Sequence, residues 1–104
     1  MIARLWHGWT SSENAARYEE LLRKHILPGI HRVAGYEGAY LFRADLERES
    51  EFITLTLFES IDAVREFAGE DYEIAVVPME ARALLLRFDQ KSKHYKIAAA
   101  PSRT

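Results

Sequence analysis

The sequence predicts an α+β domain of ferredoxin-like type, with β-α-β-β-α-β order, an antiparallel sheet and both helices on one face. Three observations predict it. Short runs rich in branched and aromatic residues alternate with segments of helical periodicity. A charged, turn-prone stretch, DLERES, joins two of those runs as a hairpin, and helix start and stop signals flank the helical segments. The 104 residues leave room for one domain, assigned to 1–99, with 100–104 as a flexible tail.

Residues 2–9, IARLWHGW, read as the first strand. Thr10 with Glu13 three residues later forms a capping-box pattern, and Ser11 and Ser12 compete as caps. The helix they open runs to about Leu27. At 100° per residue Ala15, Tyr18, Leu21, Leu22, His25 and Ile26 share an apolar stripe, with Arg17, Glu20, Arg23 and Lys24 outside it. Pro28-Gly29 ends or distorts this helix. YEGAYLFRA (36–44) and EFITLTLFE (51–59) read as the second and third strands. Ser60 is the N-cap of a second helix, with Asp62 in its first turn and Gly69 just past its end. The stretch 70–77 reads equally as irregular chain or a helical turn. Pro78 suits a helix N1 position, so MEARALLLRF (79–88) reads as a short helix, and KHYKIAA (93–99) as the fourth strand.

Composition excludes several functions. Lys plus Arg number 14 against 16 acidic residues, so no basic excess is available for phosphate, which speaks against nucleic acid or an anionic membrane as partner. With no cysteine, disulfides, thiolate zinc sites and cysteine nucleophiles are out. No apolar run reaches the roughly 18 residues of a membrane span. MIARLWHGW lacks the layout of a signal peptide, which makes the cytoplasm the expected compartment.

The second face of the sheet is informative. A solvated face carries charges at every second position, whereas the middle strands here place aromatics and threonines there. An uncovered apolar face implies a partner, and a second copy packed sheet to sheet is the simplest one. A homodimer is expected.

With LPGIHRVAGYEGAYLFR, then FITLTLFESIDAVREFAGEDY, the chain resembles the antibiotic-biosynthesis-monooxygenase-like family of dimeric α+β barrels, from Ile2 to about Ile97. The aromatic-Glu-Ser opening of the second helix, Phe58-Glu59-Ser60, is the most specific part. The resemblance implies a cofactor-independent monooxygenase acting on a small planar aromatic, quinol or polyketide-like molecule. A non-catalytic sensor or carrier of the same fold is the alternative, and a dimer whose cavity is filled by its own side chains is a third. Haem-degrading relatives carry Trp and His where this chain has Phe67 and Val77, and their first strand has an Asn where this one offers His7. Haem is therefore not expected. Quinol-oxidising relatives have Trp where Phe58 stands, a change that keeps an aromatic wall.

Oxygenation of this kind needs an electron-rich phenol, quinol or enol, an apolar pocket, a base and a holder of negative charge. On the apolar stripe His25 reads either as a base near Tyr18 or as a core histidine. His7 and His94 lie on strands that are neighbours in this topology, so they meet or face apart according to register. His31 reads as a surface residue. No histidine has a carboxylate or second histidine at ligand spacing, so no metal is expected. Trp6 and Trp9, three apart on a strand, face opposite ways. Arg4, between two buried faces, must pair, and its candidate partners are a substrate carboxylate or phenolate, Glu37 or Glu73. The expected site is thus His25, His94 and Arg4 for the chemistry, with Trp6, His7, Tyr18, Phe58, Phe67 and Tyr72 around the substrate, and no cofactor.

Overall fold

A computed structural model describes residues 1–101; the rest of the expected tail, 102–104, lies outside the described residues. The centre of the sheet is β1 (Ile2–Ser11), which pairs antiparallel with β3 (Glu49–Phe58) along its whole length, Ile2 opposite Phe58 and Ser11 opposite Glu49. On the far side of β3 runs β2 (Tyr36–Asp45), also antiparallel. The other edge of β1 is shared: β4 (Leu85–Phe88) covers its C-terminal half and β5 (Lys93–Lys96) its N-terminal half. The result is a five-stranded antiparallel α+β architecture.

The fifth strand corrects the expectation of a helix over 79–88. Only Met79–Arg82 is helical, and Pro78 is its N-cap rather than its first residue. Leucines 84 to 86 favour helix locally, but the outer edge of β1 presents backbone groups that need partners. Pairing there also seats side chains: Phe88 lies 5.8 Å from Trp6, and the Arg87 guanidinium sits 4.7 Å over the Trp9 ring while binding Glu49. Tertiary pairing outweighs local propensity.

The first helix also differs from its sequence reading. It begins as α1 (Ala15–Leu21) after Asn14, whose amide donates to the Ser11 hydroxyl at 3.2 Å. Thr10 is no cap; it is fully buried in β1. Beyond Leu21 the chain widens into a π-helical segment, Leu22–Ile26, then resumes as α2 (Leu27–Gly29) and a 3-10 turn, Ile30–Arg32. Pro28 explains the widening: it has no N–H to give, and its ring crowds the carbonyl four residues earlier, so the ladder shifts one residue upstream. That shift breaks the 100° count, and His25 is exposed rather than on the buried stripe.

The second major helix, α3 (Ile61–Ala68), follows the sequence closely. The Ser60 hydroxyl accepts from the Ala63 amide at 3.2 Å, and Gly69 ends the helix at φ 91°. From there an irregular strap, 69–78, crosses to α4 (Met79–Arg82), pinned by the Ile74–Lys91 bridge.

Two core clusters lie between sheet and helices: Ala15, Tyr18, Leu22, Phe52 and Ala81, and Ile30, Phe58, Ala63 and Val64. The cross-strand pairs Arg4–Thr56 and Trp6–Thr54 fix the facing of the central strands. Thr54 and Thr56 therefore point at the helices, not at the second face. That second face carries Ile53, Leu55 and Leu57 beside Tyr40 and Phe42, the last two being exposed and stacked at 5.9 Å.

Candidate functional site

The helix face of β1 and β3 forms the floor of a cavity of about 70 Å³. Arg4, Trp6, Thr54 and Thr56 supply that floor, all on one face because they are opposite one another in register. Leu22, Ile26, Leu27 and Ile30 close one side, and their fit depends on the π-helical widening. Phe67 of α3 and Val76, Val77 and Pro78 of the strap close the other. One wall is polar and the rest is apolar, the usual layout of a small-molecule site.

Arg4 is the central group. It is 4% exposed, and no carboxylate lies within ion-pair distance among the described residues. Its guanidinium donates to the carbonyl oxygens of Tyr72 and Ile74, the latter at 3.1 Å, and to His94 Nε2 at 2.9 Å. An arginine only donates, so His94 must accept through Nε2 and carry its proton on Nδ1. The guanidinium also lies 5.6 Å from the Phe67 ring centre. Burial lowers its pKa to about 10, which leaves it a cation at neutral pH. Of its five N–H groups, the Nε–H and one on Nη2 have no partner among the described residues.

The neighbours tune this charge. Burial, then the Arg4 charge, pushes the His94 pKa below its ordinary 6.5, with Glu73 opposing weakly. Burial raises the Tyr18 phenol well above its usual value, so it stays neutral. The Thr54 hydroxyl is buried and has no hydrogen-bond partner among the described residues. Thr56 donates instead to the Arg4 carbonyl at 3.4 Å, and Trp6 Nε1 to the Asp89 carbonyl at 2.7 Å.

Of the residues singled out in the sequence, Arg4, Trp6, Tyr18 and Phe67 meet in the cavity. His94 stands behind Arg4, its ring edge-on to Tyr72 at 5.0 Å. Tyr72 serves through its backbone carbonyl rather than by lining the cavity with its ring. Phe58 is core, 5.7 Å behind Phe67. His25 borders a shallow surface groove with Arg17 and Glu80. His7 faces the opposite side of the sheet, stacked on Trp9 at 5.9 Å and 3.3 Å from Asp89. Register decides that separation: His94 is opposite Arg4, an even position, and His7 is odd. Neither Glu37 nor Glu73 bonds to Arg4. Among the described residues no three ligating side chains cluster to hold a metal.

Sequence reading missed Thr54, Thr56, Leu22 and Ile26 as site residues, and Val76 and Val77 of the strap. The threonines had a signal, since alternation with the core residues Phe52 and Phe58 puts them on the helix face. The strap had none.

No protein-family model and no curated protein matches the sequence. A solved structure does match: a protein from Bacillus cereus provisionally described as an antibiotic biosynthesis monooxygenase. The two chains share a TM-score of 0.69 over 98% of this chain and 97% of that one, at 10% identity. The α+β fold of that protein is therefore the fold of this chain over 98% of its length.

Proposed function

Proceeding from that shared fold and the buried cation in its cavity, we propose that the protein binds a small planar aromatic, quinol or polyketide-like acid beside Arg4 and oxygenates it without a cofactor. The observation that carries the reading is Arg4, a buried charge with no carboxylate partner among the described residues. An acid entering this cavity gains most as its anion, because an uncompensated cation in a poorly hydrated site favours the ionised form. For a phenol, quinol or enol the anion is also the electron-rich species that reacts with dioxygen. At an activated methylene the step balances without a reductant: two C–H bonds break, a C=O forms from one oxygen atom, and the other oxygen leaves as water. All four electrons come from the substrate.

In this reading Arg4 holds the charge, while Trp6, Tyr18 and Phe67 form the wall that excludes water. His94, which accepts from Arg4 Nη1, is the nearest base. Size limits the substrate. An apolar cavity of roughly 150 Å³ holds benzene, so a ring larger than this space requires the strap to move.

A second reading, a non-catalytic sensor or carrier, draws on the cavity lining, which contains neither a carboxylate nor an imidazole. In both readings the open sheet face packs against a second copy to form a homodimer. No described helix is long and apolar enough to cross a membrane. The test is a thermal-shift screen against quinols, anthrones and flavonoid-like phenols, followed by oxygen uptake without added cofactor. A stabilising phenol that consumes oxygen with wild type and not with Arg4→Gln supports oxygenation. Binding without uptake selects the carrier, and silence across the panel overturns both.

A further inference from the structure

We propose that the contact between two copies takes up protons at His7, so that acidification tightens the dimer. This rests on reading the open sheet face as the homodimer interface, and adds the regulation of that interface. His7 lies near the middle of the face. It is opposite Ile53, which is opposite Phe42, with the row Leu5–Leu55–Tyr40 on one side and Trp9–Glu51–Ala44 on the other. At ordinary strand spacings the face measures roughly 600 Å² per copy, which, doubled, reaches the lower bound of a standard interface between two proteins.

The His7 ring is held between two carboxylates. Its Nδ1 is 3.3 Å from Asp89 Oδ2 and its Nε2 is 3.9 Å from Glu51 Oε2, while Trp9 stacks on it at 5.9 Å. Neither carboxylate has another ion-pair partner among the described residues. The nearby charges are engaged or set apart. Arg87 lies over Trp9 and donates twice to Glu49. Lys91, Lys93, Glu73 and Tyr95 border the groove beside His7. His94 borders it too, but its Nε2 is on Arg4 and its pKa lies below the ordinary 6.5, so it stays neutral above that pH. A neutral imidazole has one N–H, so its other nitrogen turns a lone pair toward a carboxylate; the imidazolium has an N–H for each side. On the single chain water relieves the mismatch, since the His7 side chain is 29% and that of Asp89 47% exposed. A second copy excludes that water, and two carboxylates against a neutral ring then cost most. The covered face therefore favours the protonated ring, and each chain takes up a proton as the dimer forms.

The test is sedimentation equilibrium of the full chain between about pH 6.5 and 8.5 at fixed ionic strength, a window in which imidazoles titrate and carboxylates do not. The dimer dissociation constant of wild type is expected to be at least about tenfold smaller at the acid end. His7→Gln keeps a donor and an acceptor without titrating, and its constant is expected to be flat across the window. The double variant Glu51→Gln with Asp89→Asn leaves the ring no carboxylate, so its dimer is expected to tighten toward the alkaline end instead. A wild-type dimer whose constant ignores pH overturns the proposal and leaves the homodimer standing. A pH dependence that survives in His7→Gln, or keeps its wild-type sign in the double variant, overturns it as well. A monomer at both ends overturns the homodimer and the proposal together.

Discussion

Arg4 Nη1 lies 2.9 Å from His94 Nε2, across the β1–β5 ladder that sets the two residues opposite each other. The contact joins the buried cation of the cavity to an imidazole. It also fixes the imidazole as neutral, since a second positive charge there would face Arg4 directly. Through the carbonyls of Tyr72 and Ile74 the same guanidinium holds the strap that roofs the cavity. Strap position and the protonation of His94 are therefore coupled at one side chain.

That coupling predicts a pH dependence. The folded His94 pKa lies below the ordinary 6.5, so the unfolded chain takes up the proton first as pH falls. The contribution to stability is complete above about 6.5 and is lost as pH drops through the folded value. Melting temperature measured between about pH 4.5 and 8 should fall less steeply on the acid side for His94→Gln, which keeps an acceptor and does not titrate. Superimposable profiles would contradict the neutral Nε2 acceptor.

Thr54→Val should stabilise the protein. Replacing a buried, unbonded hydroxyl with a methyl removes a desolvation cost of about 1 kcal/mol, a rise of roughly 4–8 °C in a domain of this size. A lower melting temperature would mean that the hydroxyl already has a partner in solution.

Gly35 is required by its backbone and by its neighbour. Its φ is +86°, and a Cβ there would lie 2.6 Å from the Cβ of Ala63 on α3. Gly35→Ala should therefore cost roughly 2–4 kcal/mol, combining left-handed strain with overpacking. Urea denaturation measures it, and a loss under about 0.5 kcal/mol would show that α3 yields freely.

The open sheet face should make the protein a dimer. Tyr40 is 58% and Phe42 48% exposed, next to the apolar row Ile53, Leu55 and Leu57. Light scattering at micromolar concentration is expected to give twice the chain mass for wild type and the single mass for Phe42→Lys. A wild-type monomer would remove the case for sheet-to-sheet packing.

The sheet and α3 were legible because their signals are local: alternation in 51–58, a serine cap, a terminal glycine. β4 was not, because Leu85–Phe88 is a strand only through the edge β1 offers it. His25 misled for a related reason. One proline upstream of a glycine converts the preceding turn to π geometry, and every later position moves round the axis. Arg4 was legible as a residue needing a partner, yet its partners are backbone carbonyls 68 and 70 residues away, and no pattern in the sequence encodes those. Alternation with Phe52 and Phe58 already puts Thr54 on the helix face, and register sets it beside Trp6 on the cavity floor.

The most direct test of the account is the nuclear magnetic resonance signal of the Arg4 Nε–H during titration with the phenols of the thermal-shift screen. A saturable shift at Arg4, accompanied by the Thr54 methyl and absent from His25, is the predicted result. An Arg4 signal that stays in place while a phenol binds elsewhere would contradict the assignment of this cavity as the site.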